Sequence, residues 1–376
     1  MKRLAILLTS VMLCACSGTG GGDRSDWPLF RGDASLSGYT RRSLPDDPVL
    51  LWSLSTGSRT VSSPVVLDGT VYWCDTKGTV IGVDSQGDTA FVYRFGTPVE
   101  SIPMIHDSVI YLGRIDGRLA ALSLSERDTL WTFPTMGQIS GSPNIMKLKD
   151  RDAVVFGSYD YLMYCVDRET GELINSFESG YYLNGAVAVT ETFSVYGGCD
   201  AWLRVVDCQK GTVTDSLQLD GYVPASPAII GDYVYVGDYS GNIYEVLLDD
   251  GKILRYRKMM ESDQNNASFT SVPAVSPKRL YTLSSDRNLY CLDRVSGNVL
   301  WKVLLKGNVG ESSPLVCSDK VIVCSKSGIV SILDAEDGSL LWEYDTGEQI
   351  VSSPAVADGR FHILTAKGTL FCFGKE

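Results

Sequence analysis

The sequence predicts an all-β fold, an eight-bladed β-propeller of four-stranded blades closed by an N-terminal strand that completes the last blade. Three observations carry this reading. A unit of about forty residues recurs along the chain, each unit resolves into four short strands, and the strand missing from the final unit stands ahead of the first. Composition agrees, with 44% hydrophobic and 21% charged residues, 37 Gly and 19 Tyr in 376 residues, the profile of a turn-rich and strand-rich globular chain. The formal net charge of −12 repels a phosphate backbone, which argues against a nucleic-acid partner and leaves no basic footprint for an anionic membrane surface.

In chain order, residues 1–15 read as a signal peptide. Lys2 and Arg3 precede an apolar run from Leu4 to Leu13 that is too short to span a bilayer. The run ends in Leu13-Cys14-Ala15-Cys16-Ser17, which resembles a bacterial lipobox and makes Cys16 the expected lipidation site and mature N-terminus. Residues 16–26, with Gly18 and Gly20-Gly21-Gly22, have tether composition. Residues 27–48 form a lead-in, and the propeller is expected over 49–376.

Each unit opens on a small residue followed by Pro, at Pro64, Pro103, Pro143, Pro227, Pro273, Pro314 and Pro354, with Gly185-Ala186 expected to fill the remaining slot. Within the first unit, Val65-Val66-Leu67, the turn Asp68-Gly69 and Val71-Tyr72-Trp73 read as a hairpin. The third strand, Thr79 to Val83, ends at Asp84. Asp167, Asp207, Asp293 and Asp334 recur at the same point before a Gly-containing turn, where a carboxylate can bond its local backbone. The fourth strand carries Trp131, Trp301 or Trp342, and in other units Phe91, Asn175, Asp215 or Arg255. After Pro354 there is room for only three strands, and Val49 to Leu54 matches the fourth-strand pattern. This segment is expected to close the ring and remove an exposed edge.

The combination of Ser-Ser-Pro, Tyr-x-Leu-Asp, Thr-Gly or Ser-Gly and a following Trp resembles the pyrroloquinoline quinone (PQQ) type of propeller repeat. Trp27-Pro28-Leu29-Phe30-Arg31-Gly32-Asp33, with Gly38 beyond, resembles the lead-in found before such propellers in bacterial proteins. In length, blade number and anchor the chain resembles the BamB family of outer-membrane β-barrel assembly lipoproteins. That resemblance implies a non-catalytic scaffold without a cofactor, a monomeric propeller whose partner is a protein of the cell envelope, the outer-membrane barrel insertase. It implies outer-membrane anchoring, facing the periplasm or the cell surface. A propeller binding glycan or another exported protein is the alternative, followed by a PQQ-dependent dehydrogenase. Such dehydrogenases hold the quinone against a vicinal Cys-Cys pair, which this chain lacks, with a calcium ion and a catalytic Asp.

No catalytic or metal residues are singled out. Only His106 and His362 are present, neither at metal-ligand spacing, and there is no nucleophile elbow or phosphate loop. Apart from Cys14 and Cys16, eight cysteines remain, in strand slots that read as buried small hydrophobes. The widest gap between units holds Asp263, Gln264, Asn265 and Asn266, a polar insertion without apolar rhythm and the candidate partner loop. Tyr181, Tyr182 and Tyr222 cluster where strands join between blades, a candidate rim whose simplest role is packing between them.

Overall fold

A computed structural model describes residues 26–261 and 267–376, so the signal peptide, the Cys16 anchor, nearly all of the tether and the loop residues Asp263 to Asn266 lie outside the described residues. Eight four-stranded antiparallel sheets follow one another in sequence. Blade 1 comprises Val65–Leu67, Thr70–Cys74, Thr79–Val83 and Thr89–Arg94. The first strands of neighbouring blades contact one another and line the centre of the ring. Second and third strands are buried almost throughout because a blade packs on each face, which accounts for their unbroken apolar runs, while an outermost strand such as Thr129–Pro134 alternates between half-buried and exposed. The hairpin turn Asp68-Gly69 has positive φ at both residues (51° and 75°), the conformation whose twist suits a two-residue hairpin.

Two of the repeat's motifs are devices for joining blades. The Ser before Pro accepts a hydrogen bond from the main-chain N–H at the same slot of the preceding blade: Val272 to Ser313 (3.0 Å), Ser313 to Ser353 (3.0 Å) and, across the seam, Ser353 to Ser63 (2.9 Å). In every blade the outermost strand shifts register at the residue before the Trp slot. Such a bulge re-aims the side chain that follows it. Trp52 and Trp131 thereby donate from Nε1 to the carbonyls of Ser85 and Arg168 in the third turn of the next blade, each at 3.1 Å. The ring of Trp131 lies on Gly171, where φ is +72° and a Cβ would fall 2.6 Å from the indole. The repeated turn glycine therefore serves both the backbone and the neighbouring tryptophan.

Val49–Ser55 pairs antiparallel with Thr369–Gly374, Leu54 opposite Leu370, and completes blade 8 as expected. One expected register is corrected. Ala186 occupies the Ser slot and Val187 the Pro slot, because the Ala186 N–H donates to Ser226 Oγ (2.7 Å) and the strand begins at Ala188. Without a proline, the Gly-Ala pair carried no mark of which of the two held the position.

The lead-in lies in the mouth of the central channel and serves the inner strands. Its carbonyls accept from equivalent N–H groups of six blades: Trp27 from Val66, Pro28 from Ile105, Ala34 from Val189, Ser35 from Ile229, Ser37 from Val275 and Gly38 from Val316, at 2.7–2.9 Å. Asn144 Nδ2 of blade 3 reaches Ala34 O (2.8 Å), and Tyr39–Thr40 adds a parallel strand to Leu315–Cys317. The inner strands are sheet edges, and this segment pairs donors that no other strand reaches. Arg31 is fully buried at its centre and donates to the carbonyls of Pro314 and, at 3.1 Å, Pro273. Burial pushes its guanidinium down to about 9, with Asp33 opposing the shift, so it stays charged at neutral pH.

Candidate partner-binding face

Loops from each outermost strand to the next blade, together with the turns between second and third strands, build one face of the ring. On it an eightfold pattern repeats: the N–H of a turn residue donates to the carbonyl of the loop entering that blade. The donors are Thr76, Ile115, Tyr159, Cys199, Tyr239, Ser285, Lys326 and Ala366; the acceptors are Arg59, Pro98, Gln138, Tyr182, Tyr222, Ser268, Asn308 and Gln349. Backbone geometry is thus the same around the ring and only the side chains differ. Tyrosine occurs at these positions in blades 3 to 5 alone, at Tyr159, Tyr182, Tyr222 and Tyr239.

Two residues after each donor the turn needs a left-handed residue. Gly78, Gly117, Gly241, Gly328 and Gly368 supply it in five blades, whereas blades 3, 4 and 6 have Tyr161 (φ +73°), Ala201 (φ +63°) and Arg287 (φ +71°), of which Tyr161 is the aromatic one. A tyrosine held in that region costs about 1–2 kcal/mol relative to glycine, a form of strain that concentrates at working surfaces. Tyr161 stacks on Tyr181 (5.6 Å between ring centroids, 11°), Tyr159 on Tyr182 (4.8 Å, 29°), and Tyr181 meets Tyr182 edge-on at 4.5 Å. Leu183, buried between the blades, anchors the loop that carries them, and the Gly180 N–H donates to Asp200 (2.6 Å). The arc remains open to solvent: Tyr161 is 39%, Tyr181 46%, Tyr239 54%, Tyr222 58% and Met136 94% exposed.

Tyr159, Asn184 and Tyr239 also line a funnel of about 470 Å³ over the channel, shared with Ser142, Ser226 and Glu311 and floored by Phe30. A quinone enzyme, the last of the alternatives, would need a cofactor site, and this funnel is the cavity over the channel. Among the described residues the one charged side chain lining the funnel is the carboxylate of Glu311, so they do not fit an anionic quinone. Among the described residues, no three His, Cys, Asp or Glu side chains are grouped to hold a metal ion.

Other groups with chemical potential have structural roles. Asp293 accepts from Ser296 N–H (2.7 Å), which holds its carboxyl below the usual range, and Asp84, Asp167, Asp207 and Asp334 bond their turns similarly. Seven of the eight described cysteines are buried. Burial pushes Cys324 up to about 12 and Cys372 to about 11, far from a reactive thiolate. Burial drives His362 down to about 3, leaving it neutral. His106 lies on the opposite face, 3.5 Å from Asp107 and Asp152.

The structure thus brings Tyr181, Tyr182 and Tyr222 into an exposed arc, in addition to whatever packing they provide. Tyr159, Tyr161, Tyr239 and Met136 belong to the same arc and had not been singled out. Aligning the repeats on the left-handed turn slot would have exposed Tyr161.

Comparison with known proteins places this geometry. A family model described as outer membrane protein assembly factor BamB matches residues 45–181, 142–302 and 257–373. The chain belongs to the BamB family. BamB of Shewanella oneidensis is 22% identical across 98% of this chain and 96% of its own length. BamB of Escherichia coli is 22% identical over 86% of this chain and 88% of its own. The crystal structure of BamB from Moraxella catarrhalis superposes with a TM-score of 0.74 at 18% identity, covering 88% of this chain and 98% of that one. Quinohemoprotein alcohol dehydrogenase from Comamonas testosteroni reaches 0.76 at 15% identity, covering 94% and 81%. At such identities the structural likeness speaks to the fold, which BamB shares with quinone enzymes.

Proposed function

We propose that this chain is a non-catalytic, lipid-anchored scaffold of the cell envelope, held through Cys16, that docks a protein partner on the tyrosine arc of blades 3 to 5. Membership of the BamB family makes the outer-membrane barrel insertase the partner of choice. The observation that carries the reading is the break in eightfold equivalence. Where most blades carry small or polar residues on identical backbone, three adjacent blades carry tyrosines. Tyrosine supplies large contact area with few rotatable bonds and a polar tip, and it is enriched where interfaces bind tightly. The polar insertion Asp263 to Asn266, whose described flanks Glu261 and Ala267 belong to this face, is offered as a second contact for that partner.

Affinity capture of the native, membrane-anchored protein in mild detergent, followed by mass spectrometry, tests this. Co-purification of the insertase supports the assignment. Its absence, with glycan-handling or other surface proteins enriched instead, would move the protein to a different pathway on the same scaffold.

A further inference from the structure

The lead-in determines where the tether leaves the ring. Trp27 is bridged in both directions to Val66 on the inner strand of blade 1, at 2.8 and 2.9 Å. Asp26 Oδ1 accepts from the N–H of Asp68 in that blade's first hairpin turn (2.8 Å). The chain therefore departs from the face built by the first hairpin turns, near the channel axis and opposite the tyrosine arc. Arg31 and its neighbours occupy the channel mouth, so the tether has no path back through the centre.

Ten residue steps separate Cys16 from Asp26, which reach about 35 Å at full extension. To bring the tyrosine face against the membrane, the tether would have to run out across four strands and then along the full height of a blade. With strands ~4.8 Å apart and ~3.3 Å per residue, plus turns and side chains, that path is about 50 Å. The tether falls short by roughly a third.

We infer that the first-hairpin face is the membrane-proximal side of this protein, and that the lead-in is the clasp that fixes it there. The tyrosine face is then held off the anchor's own bilayer, and its partner is an extramembrane protein domain, not a membrane-embedded segment. This inference rests on the lipid anchor at Cys16 within the proposed function, and it is independent of which partner docks.

The test uses the full lipidated chain in phosphatidylcholine vesicles containing a nickel-chelating lipid. Single nitroxides are placed on two exposed turns of blade 1, Gln86→Cys on the proximal side and Lys77→Cys on the other, in a Cys199→Ser background. Severalfold faster relaxation by nickel at position 86 than at position 77 is expected. Inserting about 25 Gly/Ser residues after Gly22 should reduce that contrast, because the lengthened tether reaches past the rim. Equal or reversed relaxation at native tether length overturns the inference, as does a chain that does not bind the vesicles at all. No partner is present, so docking on the tyrosine arc can fail or hold independently of this result.

Discussion

Replacing Arg31 by Met probes the clasp at its centre. Arg31 donates to Pro314 and Pro273 carbonyls from a fully buried position, and the substitution leaves both acceptors without that partner while keeping most of the side-chain volume. An unsatisfied buried carbonyl costs about 1–3 kcal/mol, and release from burying a charge returns part of it, so the net loss expected is about 3 kcal/mol. Unfolding entropy of about 2 cal/mol/K per residue over roughly 350 ordered residues converts this to a fall in Tm of about 4 °C. Hydrogen exchange adds a local readout: the amides of Ile229, Val275 and Val316, which donate to the lead-in, should lose protection before amides of the middle strands. Unchanged Tm together with unchanged protection at those three amides would refute the argument that Arg31 holds the segment in place.

Further expectations concern the ring itself. His362 is neutral when folded, its imidazole driven down to about 3 by burial, while the unfolded chain takes up a proton near pH 6.5; stability should therefore fall as pH drops from about 6.5 towards 3, by up to about 5 kcal/mol, and be insensitive to this group above pH 7. Chemical denaturation across that range checks it, and His362→Gln should flatten the slope. Gly171→Ala, with its Cβ driven into Trp131, should cost at least about 2 kcal/mol, whereas Gly69→Ala, with a similar φ and nothing within 4 Å, should cost about 1 kcal/mol. Equal losses would show that the tryptophan adds nothing. Deleting residues up to Ser55 opens blade 8 along Thr369–Gly374, and light scattering should report aggregation through the bared edge.

Much of the fold was legible because propeller motifs are local. Ser313-Pro314 marks an inner strand, Asp334 to Gly338 a turn, and Trp342 the strand beyond it, each within the span of one unit. Closure was legible from arithmetic, since only three strands follow Pro354. The slip at Ala186 came where the local mark was missing. The lead-in was recognisable as a motif, but its work was not, because Trp27 to Thr40 has no periodicity and each carbonyl serves a different, distant blade. Tyr181, Tyr182 and Tyr222 could be seen as a cluster in the sequence, while Tyr159 and Tyr161 join them through ring stacking on Tyr182 and Tyr181, and Tyr239 through its N–H bond to Tyr222. Cys16 and the polar loop Asp263 to Asn266 fall outside the described residues.

The central claim is that the tyrosine arc is the docking surface. Its most direct test is the affinity of the purified protein for the periplasmic domains of the barrel insertase, comparing the wild type with Tyr181→Ala/Tyr222→Ala and with Asn308→Ala/Gln349→Ala, which changes the loop positions equivalent to Tyr182 and Tyr222 elsewhere on the ring. Two interface tyrosines at about 1–2 kcal/mol each predict a Kd raised roughly 30- to 1000-fold in the first variant and unchanged in the second, with both folding as the wild type does. Equal affinity in all three proteins would contradict the account.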